Sequence, residues 1–386
     1  MYILLLSIIY LAFISLGLPD SLLGASWPTL HVSFDVPISY MGIISMIISL
    51  GTVLSSLFSE RLTAKLGTRV VTTASVLLTS LALFGFSNVT SFSQICLLGI
   101  PYGLGAGAID AALNNYVASH YSSRHMSWLH CFWGVGTIIS PYIMSYALLN
   151  SGWQSGYRAV SYIQLGIFII MLIALPLWKV NSDKTEGREE KKAPIGIRGA
   201  IKIKGVPYVL LGFLAYCAAE STATLWASSY LEDAIGLTKD EAAAFGSLFF
   251  IGMTVGRFAA GFVTERLGDM KMIGLGTIIA LAGTAITVIP IEICGIIGFI
   301  IMGIGCAPIY PCIIHMTPTN FGRENSAAII GIQMASAYIG SLLAPPLFGI
   351  IAENISLRLM PLYLTFFFIL MITMLAKTTK IHRIDV

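Results

Sequence analysis

An acid and an amide stand inside a long apolar stretch of the chain, where ionisable side chains are rare. Asp110 and Asn114 follow the glycine-rich run Gly103–Gly107 and share a helical face, because they are one turn apart. A carboxylate in lipid costs about 2.5 kcal/mol or more. Burial disfavours its charged form, so such a group is suited to bind and release a proton near neutral pH. We therefore predict that Asp110 is a proton-coupling residue and that Asn114 binds a solute; a structural hydrogen bond is the alternative.

A second acid, Asp20, lies in the first apolar stretch, directly after Pro19. Proline can kink a helix, so the chain is expected to bend just before the acid. Asp20 and Asp110 together suit a proton path with two stations, or one proton site and one solute ligand. The sequence leaves both alternatives open, and we predict a proton-coupling role for Asp20 as well.

Aromatic and polar residues accompany a third acid in the second half of the chain. Tyr216 and Glu220 share a helical face, and Trp226 follows them. Tyr310 and Gln333 add a phenol and an amide in later apolar stretches. Acids, amides and hydroxyls can form hydrogen bonds to a polar solute, while a tryptophan ring can stack on its apolar face. We predict that these five residues bind substrate; for Trp226, an interfacial aromatic belt is the alternative.

Charged residues near the ends of apolar stretches are candidates for a gate. Acids and arginines can pair in one conformation and separate in another, which gives a bistable contact. The predicted gate comprises Glu60, Arg61, Arg257, Glu265 and Arg266. Anchoring of helix ends to lipid head groups is the alternative. His130 is predicted to be a gate residue or a proton relay.

The composition shows what kind of chain must position these residues. It is 56% hydrophobic and only 11% charged, whereas a soluble domain has about 25% charged residues. Its many apolar runs near 20 residues contain Gly and Pro, which favours membrane helices over a barrel. The chain is therefore predicted to be an all-α polytopic membrane protein.

Twelve membrane helices, called spans 1 to 12, are predicted. Their ranges are 2–26, 38–60, 69–89, 92–118, 127–149, 156–178, 206–232, 239–266, 271–290, 293–316, 326–352 and 358–377. A polar, basic linker divides them into two bundles of six. The predicted domains are 1–179, the linker 180–205 and 206–386.

The distribution of lysine and arginine predicts the orientation. With the N-terminus inside, the outer loops hold only Arg158, Lys239 and Arg358, and all other loop cations lie inside. Both termini and the linker are therefore expected in the cytoplasm. A compact chain without long loops further suggests a bacterial inner (plasma) membrane.

The two halves repeat each other. Glu60-Arg61 matches Glu265-Arg266 at an offset of 205, and Asp20 matches Glu220 at an offset of 200. Gly103 and Gly105 match Gly303 and Gly305, and Pro141 matches Pro345 or Pro346. Two parallel six-helix repeats with a binding site between them are typical of transporters.

The repeat and the loop motif after span 8 resemble those of the major facilitator superfamily. The segment Gly261–Gly268 fits that family's loop motif, Gly-x-x-x-Asp/Glu-Arg-x-Gly, after span 8. The first-half copy departs from the motif, since Ser56 replaces the first glycine and the last one arrives late, at Gly67. The resemblance implies two pseudo-symmetric six-helix bundles that work by alternating access.

A finer resemblance is to the fucose and glucose–proton symporter branch of that superfamily. Leu129–Gly136, with Pro141, looks like the branch's span 5, and Asp110 with Asn114 looks like its span 4. Asp20 in span 1 also fits. The branch often has Glu where this chain has Asp110. The resemblance implies proton-coupled sugar uptake, which the spacings alone do not show.

The leading hypothesis is thus a secondary transporter that moves a small polar solute, a hexose or related sugar, by proton symport. A proton-coupled exporter of amphipathic compounds and sodium-coupled sugar uptake are the alternatives. No Walker sequence is present, which argues against an ATP-driven pump. No metal-ligand spacing or nucleophile–base motif is found, so no enzyme, metal or cofactor is expected. The expected partners are the solute, a proton or sodium and the bilayer, with no nucleic acid and a monomeric chain.

Overall fold

The computed structural model describes residues 2–37, 40–178, 195–237 and 248–384, and all regular structure in these ranges is helical. The helices are Tyr2–Gly17, Leu22–Ser33, Met41–Leu66, Thr68–Phe86, Phe92–His120, Ser123–Asn150, Trp153–Ile173, Gly196–Lys202, Val206–Tyr230, Leu248–Leu267, Asp269–Thr287, Glu292–Cys306, Ile309–His315, Thr317–Phe321, Arg323–Asn354 and Met360–Ile384. A π-helical turn, Leu231–Ile235, continues span 7, and a 3₁₀ turn, Leu357–Leu359, begins span 12.

Twelve of the helical stretches are long and apolar enough to cross a membrane. This confirms the predicted all-α, polytopic fold class. Most of the predicted linker, and the predicted start of span 8, lie outside the described residues.

Span 1 is broken rather than merely kinked. Its first helix ends at Gly17 and its second begins at Leu22. Pro19 lies between them, where its missing N–H and its ring prevent the first helix from continuing. Asp20 therefore sits in a non-helical turn in the middle of a membrane span.

Polar side chains of neighbouring helices hold this break in place. The end of a helix leaves carbonyl groups without partners, and Gln164 of span 6 donates Nε2–H to the carbonyl of Ser15 at 2.6 Å. Ser21 donates its hydroxyl to the carbonyl of Thr137 of span 5, at 2.6 Å. Around them, Leu18 and Leu22 are buried in an apolar core that also contains side chains of spans 3 to 6. The turn around Asp20 is thus fixed from several sides.

The chain forms two compact units. Unit 1 contains Met1–Tyr116 and Phe132–Gly196, and unit 2 contains Val117–Cys131 and Ile197–Val386. The segment Val117–Cys131, which joins spans 4 and 5, thus packs with the second half of the sequence. We call this stretch the 117–131 segment.

The internal repeat is visible in glycine packing. In unit 1, a Cβ atom on Gly136 of span 5 would overlap the carbonyl oxygen of Ile14 in span 1. In unit 2, a Cβ on Gly340 of span 11 would overlap the carbonyl oxygen of Leu214 in span 7. The contacting residues are 200 and 204 positions apart in the sequence, in line with the repeat. Both units therefore use a glycine to bring the same pair of helices into close contact.

Candidate functional site

Asp20 lies in the break of span 1 with its carboxylate exposed. Tyr102 of span 4 donates its hydroxyl to Oδ1 at 3.2 Å, and Trp133 of span 5 donates Nε1–H to Oδ2 at 2.8 Å. We call these three residues the Asp20 triad. Each carboxylate oxygen accepts one hydrogen bond and keeps capacity for another, so the group can still receive a solute hydroxyl or a proton.

The glycine Gly17 explains how Trp133 reaches the acid. A Cβ on Gly17 would overlap the carbonyl oxygen of Trp133, so only glycine lets span 5 approach span 1 this closely. Tyr102 is buried and follows Pro101 in span 4. Sequence reasoning did not assign Tyr102 to the site, and it noted Trp133 only as part of the span 5 pattern. No local signal links either residue to Asp20, because they are 82 and 113 positions away.

Asp110 and Asn114 are together, as their spacing predicts, but they are enclosed. Asp110 is 4% exposed and Asn114 is fully buried. Asn114 donates Nδ2–H to Asp110 Oδ1 at 2.7 Å and contacts the Asp110 carbonyl at 3.0 Å. The Asn114 amide is thus hydrogen-bonded to the Asp110 carboxyl group, and both side chains are less accessible to a solute than Asp20.

In unit 2, Glu220 of span 7 faces Arg257 of span 8. Their side chains form an ion pair of 3.7 Å, and Arg257 is only 4% exposed. Arg257 lies within the helix Leu248–Leu267, and the structure pairs it with Glu220 of span 7 rather than with the helix-end charges with which it was grouped. Tyr216, one turn before Glu220, donates its hydroxyl to the carbonyl of Cys306 at 2.9 Å.

Tyr310 is the centre of an aromatic cluster in unit 2. Its ring lies 4.7 Å from the rings of His130 and Phe213 and 6.3 Å from that of Tyr216, measured between centroids. Its hydroxyl contacts the sulfur of Met334 at 3.2 Å. The structure therefore brings together three of the predicted residues, and it adds Phe213, for which the sequence gave no signal beyond its apolar character.

The other two predicted ligands of unit 2 lie elsewhere. Gln333 is fully buried, and its Oε1 accepts the hydroxyl hydrogen of Thr317 at 3.0 Å. Trp226 donates Nε1–H to the carbonyl of Pro345 at 3.0 Å. Trp226 also lines a cleft of about 1080 Å³ together with Glu232 and Asp233. The indole nitrogen is thus engaged by the backbone.

The predicted gate residues have separate partners. In unit 1, Glu60 accepts hydrogen bonds from the N–H groups of Ile195 and Gly196, at 3.0 and 3.1 Å. Arg61, next to it, is exposed and lies over the ring of Phe58, with 5.9 Å between the guanidinium carbon and the ring centroid. The acid therefore binds the start of a short helix rather than its arginine neighbour.

In unit 2, the 117–131 segment provides the partner of Glu265. Arg124 forms a 2.5 Å ion pair with Glu265, which also accepts the hydroxyl hydrogen of Ser122. Arg266 is exposed. The sequence shows Arg124 only as one of the unnamed inner loop cations, because its distance in sequence from Glu265 hides the contact.

No group of three or more His, Cys, Asp or Glu side chains suited to a metal occurs among the described residues. The polar groups inside the described spans are instead acids with hydrogen-bond donors, ion pairs and aromatic rings. This combination is suited to proton exchange and to binding a polar solute.

Comparison with known proteins decides the family. The sequence matches the Major Facilitator Superfamily over residues 9–238 and 208–383, almost the whole chain. The chain belongs to the Major Facilitator Superfamily. This superfamily member is therefore a multi-pass membrane transporter and not an enzyme.

Its relatives are distant. Bypass of stop codon protein 6 of Saccharomyces cerevisiae is 24% identical, over 91% of this chain and 77% of that protein. The cis,cis-muconate transport protein of Acinetobacter baylyi is 22% identical, over 72% of this chain and 68% of that protein.

Solved structures share the fold over nearly the full length. FucP, the E. coli fucose:proton symporter, has a TM-score of 0.76 at 15% identity, with 98% of this chain and 99% of that chain covered. The proton:xylose symporter XylE has a TM-score of 0.78 at 11% identity, with 96% and 94% covered. The predicted superfamily is confirmed, and these likenesses show the twelve-helix transporter fold.

Proposed function

We propose that this transporter moves a small polar solute of the hexose type by symport with a proton, and that the two are linked at Asp20. One observation carries the proposal: an exposed carboxylate lies in the break of a membrane span, between an indole N–H and a phenol. An acid inside a membrane span is energetically costly, so a functional role is the default hypothesis for it. Here the acid is also accessible.

The chemistry of the Asp20 triad accounts for coupling. The ionised carboxylate only accepts hydrogen bonds, whereas the protonated group also donates one. A sugar hydroxyl, which can both donate and accept a hydrogen bond, therefore binds the ionised and the protonated carboxyl group with different affinities. Trp133 is half-buried and adds an aromatic surface beside the acid, as sugar sites require. A ligand shifts a conformational equilibrium only through such differences in affinity.

Known proteins of the same fold support this choice. FucP and XylE, by their names, are proton symporters of fucose and xylose. The pattern of span 5 resembles the same branch, and Trp133 of the Asp20 triad is part of it. For Asp110, held by Asn114, we propose a second, enclosed proton station. For Glu220, Tyr216 and Tyr310, we propose a role in solute binding within unit 2.

The remaining predicted roles are part of the same proposal. The loops rich in lysine and arginine would face the cytoplasm of a bacterial cell, with both termini inside. Glu265 would act in the gate through Arg124. Sodium in place of the proton is the variant that the transport assay must separate.

A second candidate, an exporter of amphipathic compounds driven by proton exchange, rests on one specific observation. The amides Asn114 and Gln333 are fully buried, and both are hydrogen-bonded to other side chains. The cluster around Tyr310, the partly exposed member of the group, is aromatic instead. Aromatic rings bind amphipathic molecules more readily than they replace the hydrogen bonds of a sugar.

Uptake by proteoliposomes under an imposed pH gradient tests the proposal. The panel consists of labelled hexoses and pentoses, a dicarboxylate suggested by the muconate-transporting relative and by Arg257, and an amphipathic cation, each with and without a sodium gradient. We expect proton-driven accumulation of a sugar. The variant Asp20→Asn should lose accumulation but retain sugar exchange, while Asp35→Asn, a change to an exposed acid beyond span 1, should behave like the wild type. Accumulation of the amphipathic cation alone, under an inverted gradient, would favour export instead.

A further inference from the structure

His315 ends the second helix of span 10 and lies between two hydrogen-bond acceptors. Its Nδ1 is 2.7 Å from Oδ2 of Asp269, the first residue of the span 9 helix. Its Nε2 is 3.2 Å from the carbonyl oxygen of Tyr121 in the 117–131 segment. All three residues belong to unit 2. The imidazole ring therefore bridges the 117–131 segment to spans 9 and 10.

Both contacts require the same protonation state of the ring. A carboxylate and a carbonyl can only accept hydrogen bonds, so each ring nitrogen must carry a hydrogen. Neutral imidazole has one N–H, and its second nitrogen would then direct a lone pair at an acceptor. Only the imidazolium ion makes both bonds, and its bond to Asp269 is charge-assisted.

We propose that His315 is a proton-binding site that holds the 117–131 segment on unit 2, so that loss of the proton releases the segment. Binding of the proton stabilises the attached state, and the contact is lost as the pH rises. The Arg124–Glu265 ion pair holds the same segment through a second contact. The segment is thus held by an ion pair and by a second contact that depends on a proton.

The surroundings of His315 contain few competing charges. Among the described residues, Asp269 of span 9 is the charged side chain that contacts the ring. Cys312, one turn earlier in the same helix, is the other titratable group that faces Asp269. Lys271, two positions after Asp269, is exposed. The main electrostatic interaction of the bridge is therefore the contact between the His315 imidazole and the Asp269 carboxylate.

The first half of the chain lacks this pair. The repeat offset of 200 places Asn115 opposite His315, and Thr68 begins the span 3 helix as Asp269 begins the span 9 helix. Neither the amide of Asn115 nor the hydroxyl of Thr68 titrates in the neutral range. The proton-dependent tether is therefore a property of unit 2 alone. Because we propose that the loop between spans 4 and 5 is cytoplasmic, the site would respond to cytoplasmic pH. It would keep the segment attached when the cytoplasm is acidic, whatever solute is carried.

Cys131 offers a measurement that needs no transport assay. Its thiol lies at the end of the 117–131 segment, half-buried and 3.9 Å from the carbonyl of Thr254 in span 8. Release of the segment would expose it. Its alkylation by N-ethylmaleimide is followed by peptide mass spectrometry in the full-length protein, in nanodiscs, from pH 5.5 to 8.5. Rates are expressed as the ratio of His315→Gln to wild type at each pH, which cancels the ionisation of the thiol itself.

The ratio should be roughly tenfold or more at pH 5.5, because a charge-assisted contact is lost, and should fall towards one at pH 8.5. His315→Lys, which keeps a positive charge, should protect Cys131 at every pH. His31→Gln, which removes an imidazole from unit 1, should behave like the wild type. A ratio near one at pH 5.5, or a ratio that does not change with pH, would overturn the proposal. These outcomes do not depend on finding the solute, so they are distinct from failure of the sugar assay.

Discussion

The contact between Arg124 and Glu265 allows the effect of a mutation on release of the 117–131 segment to be predicted with a magnitude. The guanidinium group forms the ion pair, donates Nε–H to the carbonyl of Gly261 at 3.3 Å, and lies 5.8 Å and 6.0 Å from the ring centroids of Trp128 and Phe262. The two charged side chains are 37% and 33% exposed, so solvent screens their attraction to about 0.2–1 kcal/mol. The ring contacts add about 0.5–1 kcal/mol at such a site.

Removal of the whole side chain in Arg124→Ala should therefore shift attachment of the 117–131 segment by about 1–2 kcal/mol. That corresponds to a roughly 5- to 30-fold larger released population. Glu265→Gln removes only the charge and should have an effect of about fivefold or less. Since release exposes Cys131, its alkylation rate at fixed pH and low ionic strength reports the population directly.

The controls separate this contact from a general effect of charge. Lys271→Ala removes an exposed cation from the same unit and should leave the rate unchanged. The exchanged pair Arg124→Glu with Glu265→Arg should recover part of the protection, and 1 M salt should reduce the difference between wild type and Glu265→Gln. If Arg124→Ala alkylates at the wild-type rate, or if Lys271→Ala accelerates the reaction equally, the reasoning is refuted.

Three further outcomes follow from the contacts described above. Gly340→Ala should lower the unfolding temperature in detergent, because the added Cβ would overlap the carbonyl of Leu214 at a cost of about 1–3 kcal/mol. Gly274→Ala, whose Cβ points into open space, is the control and should not lower the unfolding temperature. Arg257→Gln should destabilise the protein by about 3 kcal/mol, since it leaves the Glu220 carboxylate without its ion-pair partner, and the double variant with Glu220→Gln should regain most of that loss in the same thermal assay; equal melting of the single and double variants would contradict the ion pair. Asp110→Asn should abolish gradient-driven accumulation while exchange persists, and full accumulation by this variant would exclude Asp110 as a coupling residue.

Most of the fold could be predicted from the sequence, because the local apolar composition of a segment is enough to identify a membrane helix. Twelve apolar stretches predicted twelve spans, and Pro19 predicted the disturbance that the structure shows as a full break. The repeat was also visible in the sequence, through matched landmarks such as Gly103 and Gly303. The structure adds Gly136 and Gly340, which occupy the same helix crossing in each unit.

The site was only partly accessible, because its contacts are distant in sequence. Asp20 was identified by its charge, but its donors Tyr102 and Trp133 come from other spans, and no local pattern selects them. Arg257 was grouped with the helix-end charges as a candidate gate residue, whereas its ion-pair partner in the structure is Glu220 of span 7.

The predicted amide ligands show the same limit. A polar side chain in an apolar stretch indicates that it has a partner, but not whether that partner is a solute or the protein itself. For Asn114 the partner is Asp110, one turn away, and for Gln333 it is Thr317. Only the structure distinguishes these internal hydrogen bonds from groups that remain accessible.

The central claim is that solute and proton move together through a site that contains Asp20. Its most direct test is the proton flux that a sugar gradient drives in proteoliposomes loaded with a pH-sensitive dye, without any imposed pH gradient or membrane potential. The account predicts that addition of the transported hexose outside acidifies the lumen in the wild type and not in Asp20→Asn, although the variant still exchanges labelled sugar. Sugar entry without acidification in the wild type, or acidification that persists in Asp20→Asn, would contradict it.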